Sequence, residues 1–283
     1  MTTLAVLSRD IEKILKAAMI EEAAFDAMLL TSHALNLTSI DYALDKDRKI
    51  TEQECVEIME LVQQRVSRIP MAQIFGEKEF WSLSFRVTNE TLTPRPDSET
   101  LIETALNNVS DKSENIRVLD MGTGTGCLLL SLLSELPNAN GLGLDISNAA
   151  LDVAQCNAEN LNLVNRAAFK KSNWTDQLRP DEKFGIIIAN PPYIGTREKE
   201  SLAPEVKDHE PDIALFSGCD GLNDYKIIAE QIGSYLADDG MIILEIGYKQ
   251  AEDVKNIFTS AGFNDISLHK DLGGRDRCLL IKK

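Results

Sequence analysis

The residues best placed to do chemistry in this chain are an amide, a run of glycines and a few acids, not a nucleophile with its base. Asn190-Pro191-Pro192-Tyr193 directly follows Phe184-Gly185-Ile186-Ile187-Ile188-Ala189, a short apolar run rich in β-branched residues. That pattern predicts a buried parallel strand. Neither proline has an N–H to donate, and each holds φ at about −65°, so the strand must stop there. The turn then presents the Asn190 side-chain amide and the Pro191 carbonyl at the carboxyl end of a central strand, the edge where ligands sit in open α/β sheets. A side-chain carbonyl and a main-chain carbonyl held together can accept both hydrogens of a planar NH2 group.

A second constellation lies upstream. Asp120-Met121-Gly122-Thr123-Gly124-Thr125-Gly126 follows the apolar Arg117-Val118-Leu119 and leads into Cys127-Leu128-Leu129-Leu130. Glycines let the backbone turn tightly and let a ligand approach the main chain, and the helix N-terminus beyond favours an anionic group. A dinucleotide fingerprint needs a further glycine at position 127, where this chain has Cys127. The spacing after a strand-ending Asp resembles instead the loop of S-adenosylmethionine-dependent methyltransferases. Asp145, 19 residues after Gly126, ends the next strand, where its carboxylate can accept from both hydroxyls of a ribose. Trp174 follows a weaker strand, and its ring could stack on an adenine or simply pack.

The elements that must hold these residues form an alternating series. Arg117–Asp120, Gly141–Ile146, a segment ending near Ser172-Asn173-Trp174, Phe184–Ala189 and Gly240–Ile246 read as strands separated by helices. Residues 263–269 and 277–282 complete the set as a hairpin. The expected fold class is α/β, a doubly wound, mostly parallel seven-stranded sheet of Rossmann-like type. Residues 1–75 read as a small helical bundle: Gly and Pro are absent from the first 69 positions. Ile11, Ile14, Leu15 and Ala18 recur at helical spacing, as do Phe25, Met28, Leu29 and His33, and Thr51-Glu52-Gln53-Glu54 carries a capping-box signature. Residues 76–93, with the alternating Phe80–Val87, read as a β-hairpin linker, and 94–283 as the catalytic domain.

Composition narrows the function. With 283 residues, 43% hydrophobic and 26% charged, the chain is an ordinary globular protein of one large domain and one small. Its 45 acidic and 29 basic side chains give a net charge of −16, which disfavours a sequence-independent grip on nucleic acid. Cys55, Cys127, Cys156, Cys219 and Cys278 lack a C-x-x-C pair and read as free thiols; His33, His209 and His269 are scattered, so no metal is expected. With no signal peptide at the start and no long apolar run, the expected location is the cytoplasm, without a membrane association.

Taken together, these segments resemble the release-factor glutamine methyltransferases of the HemK/PrmC family over nearly the full length. The likeness is carried by Arg95-Pro96-Asp97-Ser98-Glu99, the glycine loop, Ala189–Ile194, Glu210-Pro211, Leu244-Glu245-Ile246-Gly247 and Asp271–Arg277. Ser217-Gly218-Cys219 and Gln73 depart from the family pattern. The resemblance implies S-adenosylmethionine as methyl donor, held by Gly122, Thr123, Gly124, Thr125, Gly126, Asp145, Trp174 and Asn190. It implies catalysis and substrate binding by Asn190, Pro191, Pro192 and Tyr193. The substrate would be the glutamine of the Gly-Gly-Gln motif in bacterial class I peptide chain release factors, methylated on its side-chain nitrogen. Arg95 and Glu99 would organise the pocket floor or the linker. Two rivals share parts of this pattern: N-methylation of an exocyclic amine in RNA or DNA, and a non-catalytic cofactor-binding protein.

Overall fold

A computed structural model describes residues 2–283. In chain order the helices are α1 (Leu4–Ala17), α2 (Ala23–Ala34), α3 (Ser39–Leu44), α4 (Glu52–Val66), α5 (Met71–Phe75), α6 (Glu99–Asn108), α7 (Cys127–Glu135), α8 (Asn148–Asn160), α9 (Pro204–Lys207), α10 (Asp212–Leu215), α11 (Asn223–Ile232) and α12 (Ala251–Ser260). The strands are β1 (Glu77–Phe80), β2 (Leu83–Arg86), β3 (Arg117–Met121), β4 (Asn140–Asp145), β5 (Ala167–Lys171), β6 (Phe184–Ala189), β7 (Leu236–Glu245), β8 (Asp265–Lys270) and β9 (Asp276–Lys282). The chain divides into two compact units, one running to Gly76 and including Ala203–His209, the other made of Glu77–Leu202 and Glu210–Lys283.

The smaller unit is helical, with Leu4, Ile11, Leu15, Leu30, Ile58 and Val62 at its centre. Thr51 and Glu54 form the capping box at the start of α4, each side chain bonded to the other's backbone N–H. The buried face of α2 differs from the expected one. Ala23, Asp26, Ala27, Leu30 and Thr31 face inward, while Phe25 is exposed. The reason is a charge: Asp26 Oδ2 accepts from Arg65 Nε at 2.7 Å inside the unit, so an acid belongs to the inner face. Arg65 Nη1 and Arg68 Nη1 also donate to Glu205 Oε1, at 2.9 and 3.0 Å, which is how Ala203–His209 joins this unit.

The larger unit holds the hairpin β1-β2 and a seven-stranded sheet in the order β5-β4-β3-β6-β7-β9-β8. Strands β3 to β7 are parallel; β9 runs antiparallel to both β7 and β8. Alternate residues serve two separate cores. Val118, Ile186, Ile188 and Ile243 point into one, and Leu119, Met121, Ile187 and Ile242 into the other, as a doubly wound sheet requires. The chain moves outward through β3, β4 and β5, then returns to lay β6 on the other side of β3. That reversal is a topological switch point, where the crevice for a ligand opens. In the register Met121 pairs with Ala189, so the glycine loop after β3 and the proline turn after β6 leave neighbouring strands at the same level.

The β1-β2 turn was not legible in detail. Trp81 and Ser82 both take left-handed backbone conformations, φ 51° and 58°, which usually call for Asn or Gly. The turn is held from outside: Trp81 N donates to Glu99 Oε1 at 2.8 Å and its indole N–H to Glu135 Oε1 at 2.9 Å. Glu99 is therefore tied to the hairpin. No helix among the described residues is long and apolar enough to cross a membrane.

Candidate active site

The glycine loop is pinned at its start by two bonds: Gly122 N and Thr123 N both donate to Leu144 O at 2.8 Å. Gly122 and Gly124 have φ of 73° and 54°, a region side chains seldom enter. Beneath the loop lies Asp120, fully buried, accepting from the Thr123 hydroxyl at 2.6 Å through Oδ2 while Oδ1 has no hydrogen-bond partner. Burial pushes its carboxyl up to about 7. At the end of β4, Asp145 accepts from Gly124 N on one oxygen and from Ser147 N on the other, both at 2.9 Å. Each oxygen keeps a lone pair for a ligand hydroxyl. Burial raises the Asp145 pKa as well.

Trp174 closes the other side. It sits at φ 47°, its indole N–H donates to Asp224 Oδ1 at 3.2 Å, and its ring lies 3.7 Å from where a Cβ on Gly122 would stand. These groups surround one cavity of about 360 Å³, in the size range of small-molecule sites. Of the residues expected from the sequence, Gly122, Thr123, Gly124, Thr125, Asp145, Trp174, Asn190 and Pro192 line it.

Three expected residues do not line it. Gly126 caps α7, and a Cβ there would lie 3.2 Å from Leu130 and 3.3 Å from Ala154, so that glycine serves helix packing. Pro191 is buried and away from the wall. Tyr193 lines an adjoining recess of about 330 Å³ with Arg95, Asp97, Glu245, Tyr248 and Arg277. Burial pushes the Tyr193 phenol up to about 12, so it stays neutral.

A cavity at the switch point that joins a glycine loop, a strand-end acid, an aromatic ring and an amide suits a nucleoside-bearing cofactor and a polar acceptor. Comparison with known proteins decides which. The PrmC N-terminal domain family matches residues 7–76, and a methyltransferase domain family matches residues 112–267. A release factor glutamine methyltransferase of Agrobacterium fabrum is 38% identical over 96% of this chain and 94% of its own. Another, of Cereibacter sphaeroides, is 40% identical over 93% of this chain and 92% of its own. The chain belongs to the release factor glutamine methyltransferase family.

Solved structures share the fold. The hMettl16 catalytic domain with a MAT2A 3′UTR hairpin superposes with a TM-score of 0.59 at 16% identity, covering 85% of this chain and 84% of that one. A Pyrococcus furiosus methyltransferase gives 0.54 at 17% identity, covering 78% of this chain and 98% of that one.

Further residues of the segments that carry the family likeness, and some outside them, complete the wall. Arg95 lines both the cavity and the recess, and its Nη2 donates to Glu210 Oε2 at 2.6 Å. Burial raises the Glu210 pKa even though Arg95 pulls it down. Ile146, Ile213 and Phe216 supply apolar wall. Ser98 and Glu245 stand behind Asn190, hydroxyl to carboxylate, at 2.5 Å. Both residues lie in segments that carry the family likeness, Arg95–Glu99 and Leu244–Gly247, but their pairing across 147 residues of chain had no signal in the sequence.

Proposed function

We propose that this protein transfers a methyl group from S-adenosylmethionine to the side-chain nitrogen of the glutamine in the Gly-Gly-Gln motif of bacterial class I release factors. The observation that carries this reading is the shared cavity: the glycine loop and Asn190 leave adjacent strands at one level and face the same space. The relatives named above support the choice of substrate.

The cavity suits the cofactor. Gly122 and Gly124 leave main chain free of side chains, Asp145 keeps lone pairs for the ribose hydroxyls, and Trp174 offers a ring face to the adenine. When bound, S-adenosylmethionine supplies an electrophilic methyl group on a sulfonium. The chain's residues must do the rest. An amide nitrogen is a poor nucleophile because its lone pair is delocalised into the carbonyl. Asn190 Oδ1 accepts one of its hydrogens, orients the nitrogen and stabilises the positive charge that develops there, while Pro191, the second acceptor expected from the sequence, lies outside the cavity wall. Holding the reactants in line can supply roughly 7–11 kcal/mol in favourable systems. Tyr193 stays neutral in the adjoining recess beside Arg95. The methylated amide is strongly acidic while it carries the extra proton, so water can remove it without a general base.

In this reading the helical unit contributes no chemistry and contacts the release factor away from the glutamine. The five cysteines are free thiols, which suits the cytoplasm, where release factors act. The test is mass spectrometry of a class I release factor after incubation with the protein and S-adenosylmethionine. One added methyl on the Gly-Gly-Gln glutamine is expected, with Asn190→Ala slower by about 10²–10³-fold, the range for losing one such acceptor or donor. Methyl label appearing on RNA or DNA and not on that peptide would overturn the reading.

A further inference from the structure

Behind Asn190 lies a chain of hydrogen bonds with a direction. Ser98 Oγ donates to Glu245 Oε2 at 2.5 Å, and Asn190 Nδ2 points at Ser98 Oγ at 3.5 Å. Ser98 is 3% exposed and Glu245 0%, so water does not substitute for either partner. A hydroxyl has one hydrogen. Ser98 commits its hydrogen to Glu245, and only lone pairs remain to face Asn190. A flipped Asn190 would set its own oxygen against those lone pairs. The amide must therefore turn its NH2 inward and its oxygen toward the cavity, the orientation that can accept a substrate N–H. The contact is long, as site contacts often are before substrate tightens them.

We propose that Ser98 and Glu245 are positioning residues that fix the polarity of the Asn190 amide, and that Glu245 must be ionised to do so. The proposal rests on the reading that Asn190 Oδ1 holds the substrate amide. A protonated Glu245 could donate to Ser98 Oγ. The serine hydrogen would then be free to turn toward Asn190 and favour the reversed amide, with NH2 toward the substrate. The second oxygen, Oε1, is buried with no hydrogen-bond partner, so nothing else fixes the proton's place.

The groups around Glu245 act in both directions. Arg277, on β9, has Nη1 3.9 Å from Oε1 and favours the carboxylate, as does Arg95. Asp97 opposes it. Tyr193, Tyr225 on α11, Cys278 opposite on β9 and Cys127 at the start of α7 are neutral and feel its charge. Burial dominates and pushes Glu245 up to about 7.

The test uses the full chain, a purified class I release factor and saturating S-adenosylmethionine, with kcat measured from pH 5.5 to about 9. Wild-type kcat is expected to fall about tenfold per pH unit below about 7. Ser98→Ala should lower kcat at pH 8 by about 10–100-fold, leave cofactor Kd within about twofold, and flatten the limb, since the carboxylate no longer reaches Asn190. Glu245→Gln should also be flat with pH. A purely structural role would lower the melting temperature yet leave the limb in place. If Glu245→Gln does not fold, Ser98→Ala decides alone. Ser98→Ala with wild-type kcat and an intact limb overturns the proposal while the glutamine reading stands. No transfer by wild type to the release factor defeats that reading instead.

Discussion

The larger unit buries two acids at the carboxyl end of its sheet, Asp120 on β3 and Glu245 on β7, on either side of the β6 strand that carries Asn190. They are alike to a surprising degree. Each is fully buried and pushed up to about 7, each accepts from one hydroxyl at 2.5–2.6 Å, and each leaves one oxygen without a partner. Their surroundings differ. Asp120 draws its hydroxyl from Thr123, three residues on, and its charged neighbour is another acid, Asp145. Glu245 draws its hydroxyl from Ser98, 147 residues away, and its neighbour is Arg277. One pair shapes the loop that would cradle the cofactor; the other stands behind the amide that would hold the substrate. The fold thus uses one device twice, and the neighbouring charge sets what each copy does.

Removing the two neighbours separates the copies most strongly. Arg277 is 8% exposed and ties Asp271 at 3.2 Å and Asp97 at 3.0 Å while facing Glu245. Arg277→Met strands those acids, and losing one partner of a buried ion pair costs about 3–5 kcal/mol. A drop in melting temperature of roughly 10 °C is expected by calorimetry. A change under about 2 °C would mean that the recess is wet enough to hydrate the acids. On the other side, Asp145→Ala removes a charge that accepts from Gly124 and Ser147. Cofactor Kd should rise by about 30–100-fold, or roughly 2–3 kcal/mol, with only a small change in melting temperature. Titration calorimetry reads this directly, and unchanged affinity would remove Asp145 from the cofactor's contacts.

The pH dependence of stability tests both copies together. Each acid binds a proton in the folded state at pH values where the unfolded chain has already lost it, because the folded pKa of about 7 exceeds the ordinary 3.8 or 4.5. Their contribution is therefore full below about pH 4 and is lost as pH rises toward 7. The melting temperature should fall by several degrees between pH 5 and about 7.5, and Asp120→Asn and Glu245→Gln should each remove part of the slope. A wild-type slope that survives both substitutions would place the titrating groups elsewhere.

What the sequence could reveal follows the same division. The Asp120 copy is local: strand, acid and glycines lie within the ten residues Arg117–Gly126, so periodicity and motif spacing expose them. Asn190 was legible because two prolines end an apolar strand. The inner strands β3 and β6 were legible as short apolar runs between helices, whereas β5 is polar and was only weakly marked, and β8 and β9 read as a hairpin. Ser98 and Glu245 each sat in a motif that carries the family likeness, but their pairing was not legible, because they lie 147 residues apart in the chain. The inner face of α2 was missed for the same reason, since Asp26 is buried only because Arg65 lies 39 residues on. Tyr193 and Gly126 sat in the right motifs, yet a motif fixes where the backbone turns and not which cavity a side chain enters.

The smallest expected effect concerns Trp174, on the Asp120 side of the comparison. Its indole N–H bonds Asp224, and its ring packs beside Gly122 in the cavity wall. Trp174→Phe keeps an aromatic face and loses that single bond, which is worth about 0.5–1.5 kcal/mol when net effects are counted. Cofactor Kd should rise about three- to fivefold, and kcat at saturation should stay within about twofold, because nothing near Asn190 has moved. Trp174→Leu, which also loses the flat face, should cost more in affinity than Trp174→Phe does. Equal losses in the two variants would show that the hydrogen bond to Asp224 matters and the ring face does not, and stacking on the adenine would have to be given up.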